Sequence, residues 1–162
     1  MDRAPEHPQG RQRPPGPSRR AVIAGGAGLL AVAVVPSAGA EPPAMAAAIR
    51  AFTGGAVPQP GGVAIDISPL VENGNAVPVV VSADSPMTAA SHVRALALFN
   101  EKNPQPNVAV FHFGPQAGRA RVATRMRLAT SQRVVAVAAF SDGSFRSAGA
   151  DVIVTLAACV EG

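Results

Sequence analysis

Beyond Gly62 the chain breaks into short apolar runs, each closed by residues that turn a backbone. The spacing predicts strands over 63–67, 77–82, 93–100, 107–113, 120–128, 133–140 and 144–156, with a candidate break in the last at Gly149. Glu72-Asn73-Gly74-Asn75 supplies an Asn-Gly turn and Asp84-Ser85-Pro86 opens a loop. Asn103-Pro104-Gln105-Pro106-Asn107 forces a bend, and Asp142-Gly143 is a two-residue hairpin signal. About seven strands in roughly 100 residues point to an all-β chain, an immunoglobulin-like β-sandwich. It lacks the disulfide and the Trp of antibody domains, so the likeness is one of architecture.

Ahead of the strands, Met45, Ile49 and Phe52 form one helical stripe, which predicts a short helix over 44–52. Gly54-Gly55 and Pro58-Gln59-Pro60-Gly61-Gly62 then break the chain. The core must be built from Val, Ala, Leu and Phe, because the 162 residues include no Trp and no Tyr and only 4% are aromatic. Such a light core buries modest area in a domain that is already small, which favours a permanent partner. A hydrophobic share of 48% with 15% charged residues excludes a fully disordered chain. The scarcity of aromatics excludes a nucleic-acid binder that stacks bases. One cysteine excludes an internal disulfide framework and a multi-cysteine zinc site, and three separated histidines offer no metal cluster.

The net charge of +4 sits mostly in the first 40 residues, where Arg3, Arg11, Arg13, Arg19 and Arg20 face only Asp2 and Glu6. The pI near 11 is therefore no sign of a basic working domain. Arg19-Arg20 precedes an apolar run from Ala21 to Val35, and Ala38-Gly39-Ala40 has the small-x-small form of a cleavage site. These features read as a twin-arginine signal peptide over 1–40, with export to a bacterial periplasm and no membrane attachment after cleavage. The competing reading, a permanent anchor, meets an apolar run shorter than the roughly 20 residues a spanning helix needs. The expected layout is a leader (1–40), a short helix and linker (41–62), a sandwich domain (63–156) and a C-terminal arm (157–162).

The 120–128 strand separates by face. Ala120, Val122, Thr124, Met126 and Leu128 point one way; Arg119, Arg121, Arg125 and Arg127 point the other. Arg125 and Arg127 are candidates for contact with an anion or an acidic partner. The other reading is a solvated face that discourages aggregation. His112, between Phe111 and Phe113, shares a face with Val108 and Val110 and reads as a sheet residue rather than a ligand. His92 follows a loop and has no evident partner. No Ser-His-Asp arrangement, carboxylate pair or phosphate loop stands out. Cys159 is different: it follows the last strand on a tail of small residues, Ala157 and Ala158 before it, Val160, Glu161 and Gly162 after it. A structural cysteine is normally buried. A thiol kept on a tail points to a reactive or covalently loaded group, with an incidental cysteine and a disulfide to another chain as the alternatives.

Several ordered segments resemble the SoxY family, the sulfur-carrier subunits of the bacterial thiosulfate-oxidising Sox system. The resemblance runs over about residues 61–159. It rests on Val71-Glu72-Asn73-Gly74-Asn75-Ala76-Val77-Pro78-Val79, Asp84-Ser85-Pro86-Met87-Thr88 and Phe99-Asn100-Glu101-Lys102-Asn103-Pro104-Gln105-Pro106-Asn107-Val108. It continues through Phe111-His112-Phe113, Thr124-Arg125-Met126-Arg127-Leu128-Ala129, Val134-Val135-Ala136-Val137-Ala138 and Ser141-Asp142-Gly143-Ser144-Phe145. The resemblance implies a periplasmic carrier with no catalytic step of its own, no cofactor and no nucleic-acid partner. A flexible C-terminal arm would carry sulfur covalently on Cys159. It implies a heterodimer with a SoxZ-like β-sandwich subunit. Transient docking would follow to the haem enzyme SoxXA, which loads thiosulfate, to the hydrolase SoxB and, where present, to SoxCD. The alternatives are an adaptor sandwich and a carrier for another periplasmic sulfur route. The ending departs from the family's Gly-Gly-Cys-Gly-Gly. Alanines are stiffer than glycines, and Glu161 beside Cys159 disfavours a thiolate and repels an anion.

Overall fold

Two strands carry the architecture, because each is apolar on both of its faces. In the computed structural model, which describes residues 43–156, β5 (Val93–Asn100) and β8 (Gln132–Phe140) pair at the centre of the larger sheet. Their near-continuous apolar runs, Leu96 to Phe99 and Val134 to Ala139, are almost wholly buried. That is what a strand covered on both faces requires. Nine strands are present among the described residues: β1 (Gln59–Pro60), β2 (Val63–Asp66), β3 (Leu70–Asn73), β4 (Val77–Ala83), β5, β6 (Asn107–His112), β7 (Ala120–Met126), β8 and β9 (Phe145–Leu156). The larger sheet runs β1-β9-β8-β5-β6, with β3 also on β9, and the smaller runs β2-β4-β7.

The expected sandwich is therefore present, with two short strands that the sequence reading gave to linker and turn. Both lie parallel to β9. Gln59 pairs with Arg146 near its start, and Leu70 pairs with Ile153 towards its end. Between the sheets, Leu96, Leu98, Val134, Ala136 and Ala138 meet Val77, Val79, Val81, Met126 and Leu128. The opposite face of β5 and β8 presents Ala97, Phe99, Val135 and Val137 to the helix α1 (Pro43–Thr53). Its Met45 and Ile49 are buried there, and Phe52 packs edge-on to Phe99 at 6.0 Å and to Phe145 at 6.1 Å. Burying Met45 and Ile49 contributes about 1.5–3 kcal/mol each. The helix stops at Gly54-Gly55, where the Gly55 N–H returns to the Arg50 carbonyl at 2.9 Å. Among the described residues no helix is long and apolar enough to cross a membrane.

β9 is unbroken at Gly149, contrary to the expected interruption. A Cβ there would stand 2.5 Å from the Arg133 guanidinium. The missing side chain lets Arg133 lie across the strand and reach Asp151 at 3.1 Å. On β6 the expected face of His112 holds for Val110 but not for Val108. The register shifts between Leu98 and Phe99, and Val108 turns to the inter-sheet core.

The Asp142-Gly143 signal does close the β8–β9 hairpin. Gly143 has φ 85° and its N–H reaches the Phe140 carbonyl at 3.1 Å. Asp142 Oδ1 accepts from the Ser144 hydroxyl at 2.7 Å and the Ser144 N–H at 2.8 Å. These donors, the hydroxyl foremost, hold the carboxyl below the usual aspartate range. A lowered folded pKa adds stability above the unfolded aspartate value and loses it as pH falls through the folded one. Asp142→Asn should therefore cost stability at neutral pH and lose less than the parent on acidification. Thermal melts from about pH 6 down to about pH 2 check this; a constant offset at every pH would remove the role.

Candidate functional site

The end of β9 is fastened on both sides. Asn73 is the register partner of Leu156, the Gly74 N–H donates to the Leu156 carbonyl at 2.9 Å, and the Thr155 hydroxyl donates to the Glu72 carbonyl at 3.1 Å. On the other side the Val154 N–H donates to Ser131 Oγ at 2.9 Å. A chain leaving Leu156 therefore starts from a fixed point. Cys159, Ala157, Ala158, Val160, Glu161 and Gly162 lie outside the described residues, as does the leader over 1–40. Cys159 comes three residues after that fixed point, a reach of about 10 Å at full extension.

The surroundings of this root are mixed. Leu70 (57% exposed) and Ile153 (59%) sit side by side as register partners on the outer face, and Leu156 is 67% exposed. Contiguous exposed apolar side chains mark contact surfaces. On the neighbouring strand end, the Leu128 N–H donates to the Gly74 carbonyl at 2.8 Å. That bond brings Arg127 to the same end of the sandwich as the root.

The arginine face of β7 is as the alternation predicted. Ala120, Met126 and Leu128 are buried, Val122 and Thr124 half-buried, and Arg119, Arg121, Arg125 and Arg127 exposed. The structure then separates the two singled-out arginines. Arg125 lies opposite Pro78 on the outer surface of the small sheet. Arg127 stands beyond the strand's last pair and lines an open depression of about 330 Å³ with Asn100, Asn103, Gln105 and Asn107.

Asn103 holds this end together. Its Nδ2 donates to the Arg127 carbonyl at 2.8 Å, and its Oδ1 accepts from the Ala129 N–H at 3.0 Å and from Gln132 Nε2 at 2.8 Å. Gln132 in turn accepts the Lys102 N–H at 2.8 Å. Asn100 is different. It is 1% exposed and its Oδ1 has no hydrogen-bond partner among the described residues. Leaving such an atom unpaired costs about 1–3 kcal/mol. From sequence, Asn103, Gln105 and Asn107 read as bend formers and Asn100 as the end of a strand; the density of amides around two prolines was the available signal.

The histidines stand apart. His112 is exposed on the outer face, and His92 Nδ1 donates to the Thr88 carbonyl at 3.1 Å, fastening a loop. Among the described residues no group of three or more His, Cys, Asp or Glu is placed to hold a metal ion.

Comparison with solved structures gives the sulfur carrier protein SoxY from Chlorobium limicola f thiosulfatophilum at 30% identity. It covers 70% of this chain and 97% of that one, with a TM-score of 0.59. A superoxide reductase (neelaredoxin) from Ignicoccus hospitalis has 20% identity over 57% of this chain and 78% of that one, with a TM-score of 0.52, a likeness of fold alone. No curated protein sequence matches. The family model described as "Sulfur oxidation protein SoxY" matches residues 49–159, from within α1 to the cysteine itself. With two thirds of its length matched by that model and the same fold in a solved member, this chain belongs to the SoxY family.

Proposed function

We propose that this chain is a periplasmic covalent sulfur carrier in thiosulfate oxidation, and that it performs no catalytic step itself. The observation that carries this reading is the position of its one cysteine. Cys159 ends the family match and stands three residues past a strand end held by hydrogen bonds on both sides. A thiol so placed can enter a cleft that the sandwich cannot. Tethering also raises the effective concentration of the cargo once the carrier has docked.

The chemistry asked of the thiol is balanced by its partners. Loading joins the thiolate to thiosulfate, Cys–S⁻ + S₂O₃²⁻ → Cys–S–S–SO₃⁻ + 2 e⁻, the two electrons passing to a haem enzyme of SoxXA type. Hydrolysis by a SoxB-type enzyme then gives Cys–S–S–SO₃⁻ + H₂O → Cys–S–S⁻ + SO₄²⁻ + 2 H⁺, which leaves the sulfane sulfur on the arm. A SoxZ-like subunit is the permanent partner. The exposed pair Leu70–Ile153 supports docking at the root of the arm, since an enzyme that takes in the arm must also seat against its base. The twin-arginine leader supports the compartment.

The test is the mass of the C-terminal peptide of native protein from cells grown on thiosulfate, prepared without reductant. A thiosulfonate or persulfide on Cys159 is the expected result. A free thiol in every preparation would favour the adaptor reading instead.

The altered tail has its own consequence. Glu161 lies two residues from the thiol and its charge opposes both the thiolate and the incoming anion. Glu161→Gln is expected to speed loading about three- to ten-fold at neutral pH, because losing that charge favours the thiolate and eases the approach of the anion. Loading rates against pH and ionic strength check it. An unchanged rate would mean that the side chain points away from the thiol.

A further inference from the structure

We propose that β6 is not a free edge in solution: it pairs antiparallel with the β6 of a second copy of this chain, so that the larger sheet continues through a two-fold seam. The seam is independent of the carrier reading and of Cys159.

The composition of the strand points there. Asn107-Val108-Ala109-Val110-Phe111-His112 is apolar on both faces over its middle. Val108 and Phe111 pack towards the inter-sheet core, and Val110 packs towards the helix side. That is the pattern of β5 and β8, the central strands. β6 has β5 as its one neighbour among the described strands, and its apolar side chains stay half-buried.

The other outer strands are guarded against pairing. β1 has two residues, one of them Pro60; β2 and β3 have four each and expose Asp66 and Glu72; β7 exposes Arg121 and Arg125. Short length, proline and charge each blunt an edge. β6 has six residues and none of Asp, Glu, Lys, Arg, Pro or Gly. Its one irregularity, the register shift opposite Leu98 and Phe99, falls at its start.

Register identifies the groups a mate would take. The Phe113 N–H donates to the Arg94 carbonyl at 2.9 Å, and Leu96 is the register partner of Phe111. Antiparallel bonding alternates, so Ala109 and Phe111 turn their backbone groups to β5, and Val110 and His112 turn theirs outwards. No strand among the described residues takes them. A second β6 fits them by its own sequence. With Val110 set against its two-fold mate, each Ala109 faces the Phe111 of the other copy, small against large, on the inter-sheet face. No charge meets its like along this strand, as it would if two β7 strands met. The cation on β5, Arg94, is turned away to the Phe140 carbonyl at 3.0 Å. A two-fold interface requires such self-complementarity, and this is what selects a second copy.

The test uses the full-length mature chain carrying Cys159→Ser, which removes any disulfide route to a dimer. Sedimentation equilibrium gives the mass, and NMR hydrogen exchange reads the backbone amides one by one, in dilute and in concentrated samples. When concentrated, the protein should have the mass of a dimer, and the amides of Val110 and His112 should exchange at least about ten-fold more slowly than when dilute. Those of Ala109 and Phe111, bonded to β5, should be slow in both. His112→Pro removes an outward donor and no bond to β5, a change that an edge strand accepts. It should weaken the dimer at least about ten-fold, since symmetry removes the bond twice. Ala64→Lys, on the exposed face of β2, should leave the dimer within about two-fold. A monomeric mass with fast exchange at Val110 and His112 in every sample overturns the proposal. So does a dimer in which those two amides stay fast, because it would be joined elsewhere. Slow exchange there that requires an added SoxZ-like subunit would give the edge to that partner and overturn the second copy.

Discussion

Cys159→Ser is expected to leave the sandwich folded and to abolish every sulfur adduct. The loss should be complete because a hydroxyl neither ionises near neutral pH nor forms a stable S–S-type bond, so no fraction of the chain can be loaded. The fold should not respond. Cys159 lies outside the described residues, and the inter-sheet core and the helix-side core are each already formed among the described ones. Substitutions away from packed regions stay within about 0.5 kcal/mol. The measurements are the adduct mass, the melting temperature and thiosulfate oxidation in cells without another carrier. Wild-type oxidation by the serine variant in such cells would end the carrier reading, whatever the fold resembles. A variant that also failed to fold would show that the tail packs.

Phe99→Ala is expected to be the most damaging single change in the sandwich. Phe99 is fully buried on the helix side of β5, where it meets Phe52 edge-on and lies among Met45, Ile49, Val135 and Val137. Truncating a buried Phe costs about 3–5 kcal/mol. That is a large share of the 5–15 kcal/mol that holds an ordinary domain together. A fall in melting temperature of at least about 10 °C follows. The loss should appear first in α1, because an isolated helix of 11 residues is marginal in water and this one depends on the face it covers. Hydrogen exchange over Pro43–Thr53 should rise further than exchange over β4 and β7. Equal acceleration throughout would mean that the helix layer and the sandwich melt as one unit.

Those two expectations draw on different kinds of legibility. Short alternating runs and turn residues were enough to locate seven of the nine strands among the described residues to within a residue or two, and the stripe Met45, Ile49 and Phe52 located the helix. Local spacing carries that information because side chains alternate on a strand and return every three or four residues on a helix. The two missed strands had no such signal. Gln59–Pro60 is too short to show alternation, and Leu70–Asn73 runs into the Asn73-Gly74 pair that reads as a hairpin turn. Gly74 does not join two paired strands. β3 lies on β9, β4 lies in the other sheet, and the turn is a crossing between them. Parallel pairing joins residues far apart in sequence, so nothing near Leu70 announces Ile153.

The functional site divides in the same way. The sequence by itself determined the candidate carrier group, since it contains one thiol, three residues past the last strand. It also determined the sorting of β7 into an apolar and an arginine face. The tertiary structure alone decided that Arg127 and Arg125 have different surroundings, that Asn100 is buried with an unused oxygen, and that both the depression and the root of the arm stand at one end of the sandwich. The reason is physical. Charge, nucleophilicity and periodicity belong to residues and their immediate neighbours. Burial, by contrast, and the company a side chain keeps are fixed only when strands distant along the chain pair and bring their ends together.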